Sequence, residues 1–208
     1  MTVHCRPRDC RSPFVFVRDG FLEQALLEAI QRAMVHEAGD AAEILDAHTG
    51  ALRTTTEIRR AWEVSLPDAL EGAVLERLEG VRPDLERWCG QPLEESEALA
   101  ALRYPSGAYY RTHRDASVQP DPLGLHRRVA SIVVFVNSGE GAPGASFAGG
   151  ALRLHELLED ITAAVDVTPE AGTLIAFPSS LLHEVTTVTS GERFSLVTWM
   201  LRPDHAHQ

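Results

Sequence analysis

The sequence predicts an α+β protein, mainly β, in which helices from the N-terminal half pack on a sandwich or jelly roll built by the C-terminal half. Two observations carry this. Up to about residue 97 apolar side chains recur at three- and four-residue steps, the period of a helix face. From Leu99 onward, short β-rich runs are separated by glycine and proline, with none of the helix-length crossovers that a parallel sheet requires. A chain of 208 residues suits one domain, with residues 1–97 as its helical annex and 98–204 as its β core.

Asp19 is a plausible N-cap for a first helix whose stripe is Leu22, Leu26, Ala29, Ile30 and Ala33. A second helix is expected from Pro67, whose missing N–H is harmless in a first turn, burying Leu70, Val74, Leu75 and Leu78. A short third one runs from about Pro83 to Gly90, a residue free to take the left-handed C-terminal cap. Strands are expected over Leu99–Tyr104, Arg128–Asn137, Ala151–His155, Ala163–Val167, Thr173–Phe177, Glu184–Val188 and Arg193–Leu201. The long proline- and glycine-rich loops Arg114–Arg127 and Ser138–Gly149 have the length of functional lids.

All nineteen basic residues are arginine. Without lysine the chain has no Schiff-base nucleophile, no anchor for pyridoxal phosphate and no phosphate loop ending in Gly-Lys. A formal charge of −11 argues against a nucleic-acid or anionic-membrane partner. No apolar run approaches the roughly 18 residues of a membrane span, and Phe14–Val17 is too short for a signal-peptide core, so a cytoplasmic address is expected. Cys5, Cys10 and Cys89 read as free thiols. His4, Cys5 and Cys10 lack a fourth metal ligand at suitable spacing.

The chemistry points to the stretch RYPSGAYYRTHRD, which carries His113 and Asp115. Taken alone the pair is worthless, since nine histidines and 30 acids predict about one His-x-acid triplet by chance. It gains weight from His183 in LLHEV and from Arg193, ten residues later in GERFSLVTW. Two histidines and a carboxylate are the facial triad of non-haem Fe(II). Being two residues apart, His113 and Asp115 project on one side of a strand or its end, and a distant strand can bring His183 across. Singly, each histidine is better read as a surface or strand-end residue; jointly, with Arg193 in register, the metal site prevails.

From about Leu99 to Pro203 the chain resembles the Fe(II)/2-oxoglutarate dioxygenase superfamily, and within it the prolyl 4-hydroxylase-like group. The resemblance rests on Tyr104, Gly107 and Tyr110 before His113 and Asp115, on Gly149 and Gly150 before Ala151, on His183 followed by Arg193, and on Trp199 six residues further. It implies that the jelly roll is a double-stranded β-helix and that the protein uses Fe(II), 2-oxoglutarate and O2, with ascorbate as a reductant. It also implies hydroxylation of an unactivated C–H of an amino-acid-type substrate, peptidyl or small-molecule, with release of succinate and CO2. His113, Asp115 and His183 would hold the metal; the retained Asp115 favours hydroxylation over halogenation. Arg193 would pair with the distal carboxylate of 2-oxoglutarate, a planar match that guanidinium satisfies, with Ser195 and Tyr104 beside it. Tyr110 and Trp199 would line the substrate side. One departure is that SIVVFVN offers Val134 and Phe135 where relatives often place a tyrosine, which leaves the second carboxylate donor open.

Around the triad, Arg111, Arg114, Arg127 and Arg128 are solvated charges or receivers of a substrate carboxylate, with Arg114 and Arg127 the chosen candidates. His126 sits in the expected lid, His155 reads as a rim residue, and Asn137 starts a turn. Two other readings fit the sequence: a non-catalytic jelly-roll binding module, and a nucleic-acid demethylase of the same superfamily, which the acidic balance disfavours. The sequence does not specify an oligomeric state.

Overall fold

The computed structural model describes residues 2–5, 14–37, 39–45, 52–156 and 164–204. In chain order the elements are β1 (Thr2–Cys5), β2 (Phe16–Arg18), α1 (Gln24–His36), β3 (Asp40–Ala41), β4 (Ile44–Leu45), β5 (Leu52–Arg53), β6 (Arg59–Arg60), β7 (Trp62–Val64) and α2 (Asp68–Cys89). The C-terminal half adds β8 (Ala100–Pro105), β9 (Tyr109–His113), β10 (Arg128–Phe135), β11 (Ser138–Gly139), β12 (Ala145–Gly149), β13 (Leu152–His155), β14 (Ala164–Val167), β15 (Leu174–Pro178), β16 (His183–Val185) and β17 (Val188–Leu201).

The strands form a jelly roll. One sheet runs β2-β15-β10-β17-β8-β7-β3, extended by β12 on β17 and β11 on β12; the other runs β1-β14-β13-β16-β9-β6. Period-two alternation along β10 separates two cores. Ile132 and Val134 face outward and join Leu27, Ile30 and Met34 of α1 and Val74, Leu78, Val81 and Leu85 of α2. Val133 and Phe135 face inward, against Leu152, Leu154 and Val167 of the second sheet. Burying each such Leu, Ile or Val contributes about 1.5–3 kcal/mol, so the two helices are fastened to the outer face while the inner face is left to enclose a cavity.

The N-terminal half is less helical than its periodicity suggests, because β2, β3, β6 and β7 are short strands that extend the sheets of the C-terminal half. A two- or three-residue strand leaves no readable alternation. The first helix begins after Glu23, not Asp19, and its buried stripe is Leu27, Ile30 and Met34, with Leu26, Ala29 and Ala33 only half-buried. The expected second and third helices are one, α2, which runs through Pro83. Pro83 is exposed, so the carbonyl it cannot satisfy lies toward solvent, where water compensates. Gly90 does close the helix in the left-handed conformation, φ 71°, with its N–H bonded to Glu86 O.

In the C-terminal half all seven expected strands occur, with shifted ends. Ala163 lies outside the described residues, and the last strand begins at Val188, five residues early. The strand carrying His113 was not expected as such, nor was β12 within the second loop. Cys10 and the side chains of His4 and Cys5 lie outside the described residues. Cys89 is a free thiol whose pKa burial pushes up to about 11. Among the described residues no helix is long and apolar enough to cross a membrane.

Candidate metal centre

His113 ends β9 and His183 opens β16, and the two are register partners across an antiparallel pair. Pairing between strands seventy residues apart therefore brings the two imidazoles together, with ring centroids 4.2 Å apart. Asp115 follows β9, where its N–H donates to Ser179 O at 2.9 Å. Its Oδ1 lies 3.4 Å from His113 Nε2 and its Oδ2 3.4 Å from His183 Nε2. One ligand atom from each of the three lies within 4.8 Å of the others, the one such cluster among the described residues.

The ring orientations are set by the backbone. His113 Nδ1 donates to Arg111 O at 2.8 Å, and His183 Nδ1 donates to Leu181 O at 2.9 Å. A carbonyl can only accept, so both rings carry the proton on Nδ1 and turn the Nε2 lone pair inward. Tyr110 stacks on His113 at 3.6 Å and Phe177 packs edge-on against His183 at 4.7 Å, which fixes both rings. Ser131 donates to Asp115 Oδ2 at 2.6 Å, and Ser179 Oγ lies 3.1 Å from the Ser131 hydroxyl. Burial alone would raise the Asp115 pKa, but the flanking histidines hold it well below the usual carboxylate range. Burial lowers His113; it also opposes protonation of His183, where the Asp115 carboxylate outweighs it and the pKa rises. The trio is a compact anionic donor set suited to a divalent cation.

Arg193 lies across the cavity, on β17 of the facing sheet. Residues 193, 195, 197 and 199 share the inner face of β17, and all four line a cavity of about 820 Å³ together with the triad. Arg193 is 1% exposed. Its Nη1 donates to Ser195 Oγ at 2.9 Å and its Nε has no partner. Tyr104, its register partner on β8, and Phe135 offer ring faces at 5.1 and 5.8 Å, and no carboxylate pairs with it among the described residues. A buried guanidinium without a counter-ion is costly unless a ligand supplies one. An anion with two oxygens, set across the cavity from the metal ligands, is what these residues fit; a dicarboxylate that also chelates the metal meets both demands.

Residues 99–201 match the sequence profile of the 2OG-Fe(II) oxygenase superfamily. The β core belongs to that superfamily. Its members use Fe(II), 2-oxoglutarate and O2, and the His-Asp-His cluster and the unpaired Arg193 fit the first two. The chain is 33% identical over 98 residues to a PKHD-type hydroxylase of Shewanella baltica, covering 47% of this chain and 40% of that one. It is 34% identical over 117 residues to a PKHD-type hydroxylase of Hyphomonas neptunium, covering 52% and 48%. The chain thus spans between two-fifths and about half of these relatives' length. Among solved structures it resembles a Pseudomonas putida prolyl-4-hydroxylase, with a TM-score of 0.69 and 25% identity over 95% of this chain and 97% of that one. A Trichoplax adhaerens prolyl hydroxylase in complex with a hypoxia inducible factor peptide shares the fold, with a TM-score of 0.65 and 16% identity over 94% and 86%.

Within this oxygenase core the structure gathers most of the expected residues. Tyr104, Tyr110, Trp199 and Arg114 line the cavity with the triad, Arg193 and Ser195. Phe135, not Val134, is the residue of β10 that faces Arg193, and it brings no hydroxyl; the polar neighbours there are Ser195 and Tyr104. Trp199 lies under the Arg128 guanidinium at 3.6 Å, and Arg128 is held by Glu97 at 2.7 and 2.5 Å.

Arg127 is the exception. It does not line the cavity; it pairs with Glu94 and donates to Arg202 O at 3.1 Å, tying the end of the loop to the C-terminal segment. Its neighbour in sequence, Arg128, opens β10 after the 3-10 turn Leu125–Arg127; it lines the cavity and donates to Asp115 O at 3.3 Å. His126 is likewise engaged in the loop, 3.3 Å from Asp121.

The glycine pair has a steric cause. A Cβ on Gly149 (φ 69°) would stand 2.2 Å from Thr187 O, and one on Gly150 would stand 3.1 Å from Arg193 Cδ. The pair lets the chain pass close over β17 beside Arg193. Sequence reasoning missed Ser131; its signal was a lone hydroxyl heading the apolar run SIVVFV. It also missed Arg59, which lines the cavity from β6, outside the stretch matched by the family.

Proposed function

We propose that this protein is an Fe(II)- and 2-oxoglutarate-dependent hydroxylase acting on an amino-acid-type substrate, peptidyl or free, with ascorbate as accessory reductant. The observation that carries the reading is one cavity holding both an anionic His-Asp-His cluster and a buried, unpaired arginine. The likeness to prolyl hydroxylases supports the substrate class.

When bound, Fe(II) and 2-oxoglutarate supply the oxygen activation that hydroxylates an unactivated C–H and releases succinate and CO2. The protein's part is aim and exclusion of water. His113 and His183 present Nε2 because their Nδ1 protons are committed to the backbone, and Ser131 holds Asp115 in place. Arg193 and Ser195 receive the distal carboxylate of 2-oxoglutarate, which fixes its direction relative to the triad. Leu102, Val133, Leu152 and Val197 keep that end of the cavity apolar, where charge-assisted contacts are strongest. Tyr110 and Trp199 flank the open side and hold the substrate. Formation of succinate from 2-oxoglutarate by the Fe(II)-loaded protein in air, stimulated by proline-containing peptides or amino acids, tests this. A folded, metal-loaded protein that forms none would contradict it, and would favour the binding-module reading.

A further inference from the structure

The sequence offers four arginines near the triad to receive a substrate carboxylate, and the structure commits three of them to protein acids. Arg114 pairs with Glu156 at 3.0 Å, Arg127 with Glu94, and Arg128 with Glu97. The fourth, Arg111, is exposed outside the cavity, where it donates to Glu57 O at 2.6 Å and lies over Tyr109.

Arg59 differs from all of these. It is the register partner of Tyr110 across β6 and β9 and holds its guanidinium 4.7 Å from the Tyr110 ring centroid, at the wall of the cavity. Its Nη1 donates to Glu43 O at 2.9 Å, its Nε is buried without a partner, and no carboxylate pairs with it among the described residues. Glu43 and Glu63 share this wall, but both are exposed to water.

We propose that Arg59 receives a carboxylate of the substrate, set within about one residue of the C–H that is hydroxylated. This rests on the hydroxylase reading and adds to it the class of substrate. A guanidinium held over an aromatic face with an unmet buried N–H is pre-organised for a bidentate carboxylate. Two ring contacts, 4.7 Å from Arg59 to Tyr110 and 3.6 Å from Tyr110 to His113, separate that guanidinium from a metal ligand. One residue of extended chain, about 3.3–3.6 Å, together with a hydrogen-bonded carboxylate covers such a span; a longer segment overshoots it. The opposite wall, Trp199 under Arg128, is neutralised by Glu97. The open side therefore carries a guanidinium without a carboxylate partner, among the described residues, at the Arg59 end only, which orients an anionic substrate with its carboxylate toward Arg59.

The test is succinate formation by the Fe(II)-loaded protein with paired probes: N-acetyl-L-amino acids against their amides, and N-acetyl-X-Asp amides against their Asn counterparts. The native protein should prefer the acid over the neutral partner by about 10- to 100-fold in kcat/KM, the worth of one charge-assisted pair. Arg59→Gln should bring that ratio to within about threefold, Arg59→Lys should keep part of it, and Arg111→Gln should retain the native ratio. Because the ratio is internal to each variant, an overall loss of activity does not obscure it. Equal use of acids and neutral partners by the native protein, a preference that survives in Arg59→Gln, or no acid raising succinate above the probe-free level would overturn the proposal. Probe-free succinate formation by the native protein reports on the hydroxylase reading separately; if that too is absent, the parent reading fails and the proposal with it.

Discussion

Replacing Arg193 by methionine should make the metal-free protein more stable while removing its response to 2-oxoglutarate. The guanidinium is 1% exposed, its Nε has no partner, its Nη1 reaches only the neutral Ser195 hydroxyl, and burial lowers its pKa. Methionine fills a comparable volume without a charge, and exchanging a poorly compensated buried charge for an apolar side chain is neutral or stabilising by about 1–4 kcal/mol. Loss of the ring contacts to Tyr104 and Phe135 offsets roughly 0.5–2 kcal/mol of that, so the expected net change centres on a gain of about 1 kcal/mol, within a range of roughly −1 to +3.5 kcal/mol. For a chain of this size each kcal/mol moves the melting temperature by about 2–4 °C. Thermal melts with Mn(II), with and without 2-oxoglutarate, are the assay. At a ligand concentration 100 times its Kd the native protein should gain about 2.7 kcal/mol, and the variant nothing measurable. A variant less stable than the native protein by more than about 1 kcal/mol, or one stabilised as much as the native protein at the same 2-oxoglutarate concentration, would show that this arginine does not await an anion.

Three further outcomes follow from the same geometry. Ser131→Ala removes the 2.6 Å hydrogen bond to Asp115 and should weaken metal binding by about 10- to 100-fold in a Mn(II) titration with little change in fold; unchanged affinity would remove Ser131 from the site. Gly149→Ala forces a side chain into a left-handed backbone 2.2 Å from Thr187 O and should cost about 3 kcal/mol or more in denaturant unfolding, whereas a loss under about 1 kcal/mol would contradict the close approach.

In the loop after the triad, burial opposes ionisation of Asp121. Hydrogen bonds from Ser117, from the N–H groups of Leu125 and His126 and from the His126 ring nevertheless hold it far below the usual carboxylate range. Its folded pKa is depressed, so its contribution is complete above the unfolded value of about 3.9 and is lost only as pH falls through the folded one. Limited proteolysis should find the 114–127 loop equally protected at pH 5 and pH 8, and cut far faster in Asp121→Ala at either pH.

What the sequence revealed depended on how far each feature reaches along the chain. His113, Asp115, His183 and Arg193 were legible because each lies in or beside a strand-length run, and spacing of two and ten residues is preserved on an extended backbone. Gly149 and Gly150 were legible as a pair, though their reason, the passage over β17, is visible only in three dimensions. Arg59 was not legible: β6 is two residues long and acquires its meaning from pairing with Tyr110, fifty-one positions away. Arg127 and Arg128 show the limit of counting charges near a motif, since the boundary between a 3-10 turn and β10 falls between them and only Arg128 reaches the cavity. Pro83 misled for a local reason, because a proline ends a helix unless its lost hydrogen bond faces water, and only tertiary placement of α2 decides that.

Anaerobic absorption spectroscopy reads out whether one cavity brings Fe(II) and 2-oxoglutarate together. Adding Fe(II) and 2-oxoglutarate to the native protein without oxygen should produce a visible charge-transfer band. His183→Ala should abolish the band, and Arg193→Met should shift its appearance to much higher 2-oxoglutarate. A folded native protein that binds Fe(II) yet shows no band at any 2-oxoglutarate concentration would mean that the two do not meet in this cavity.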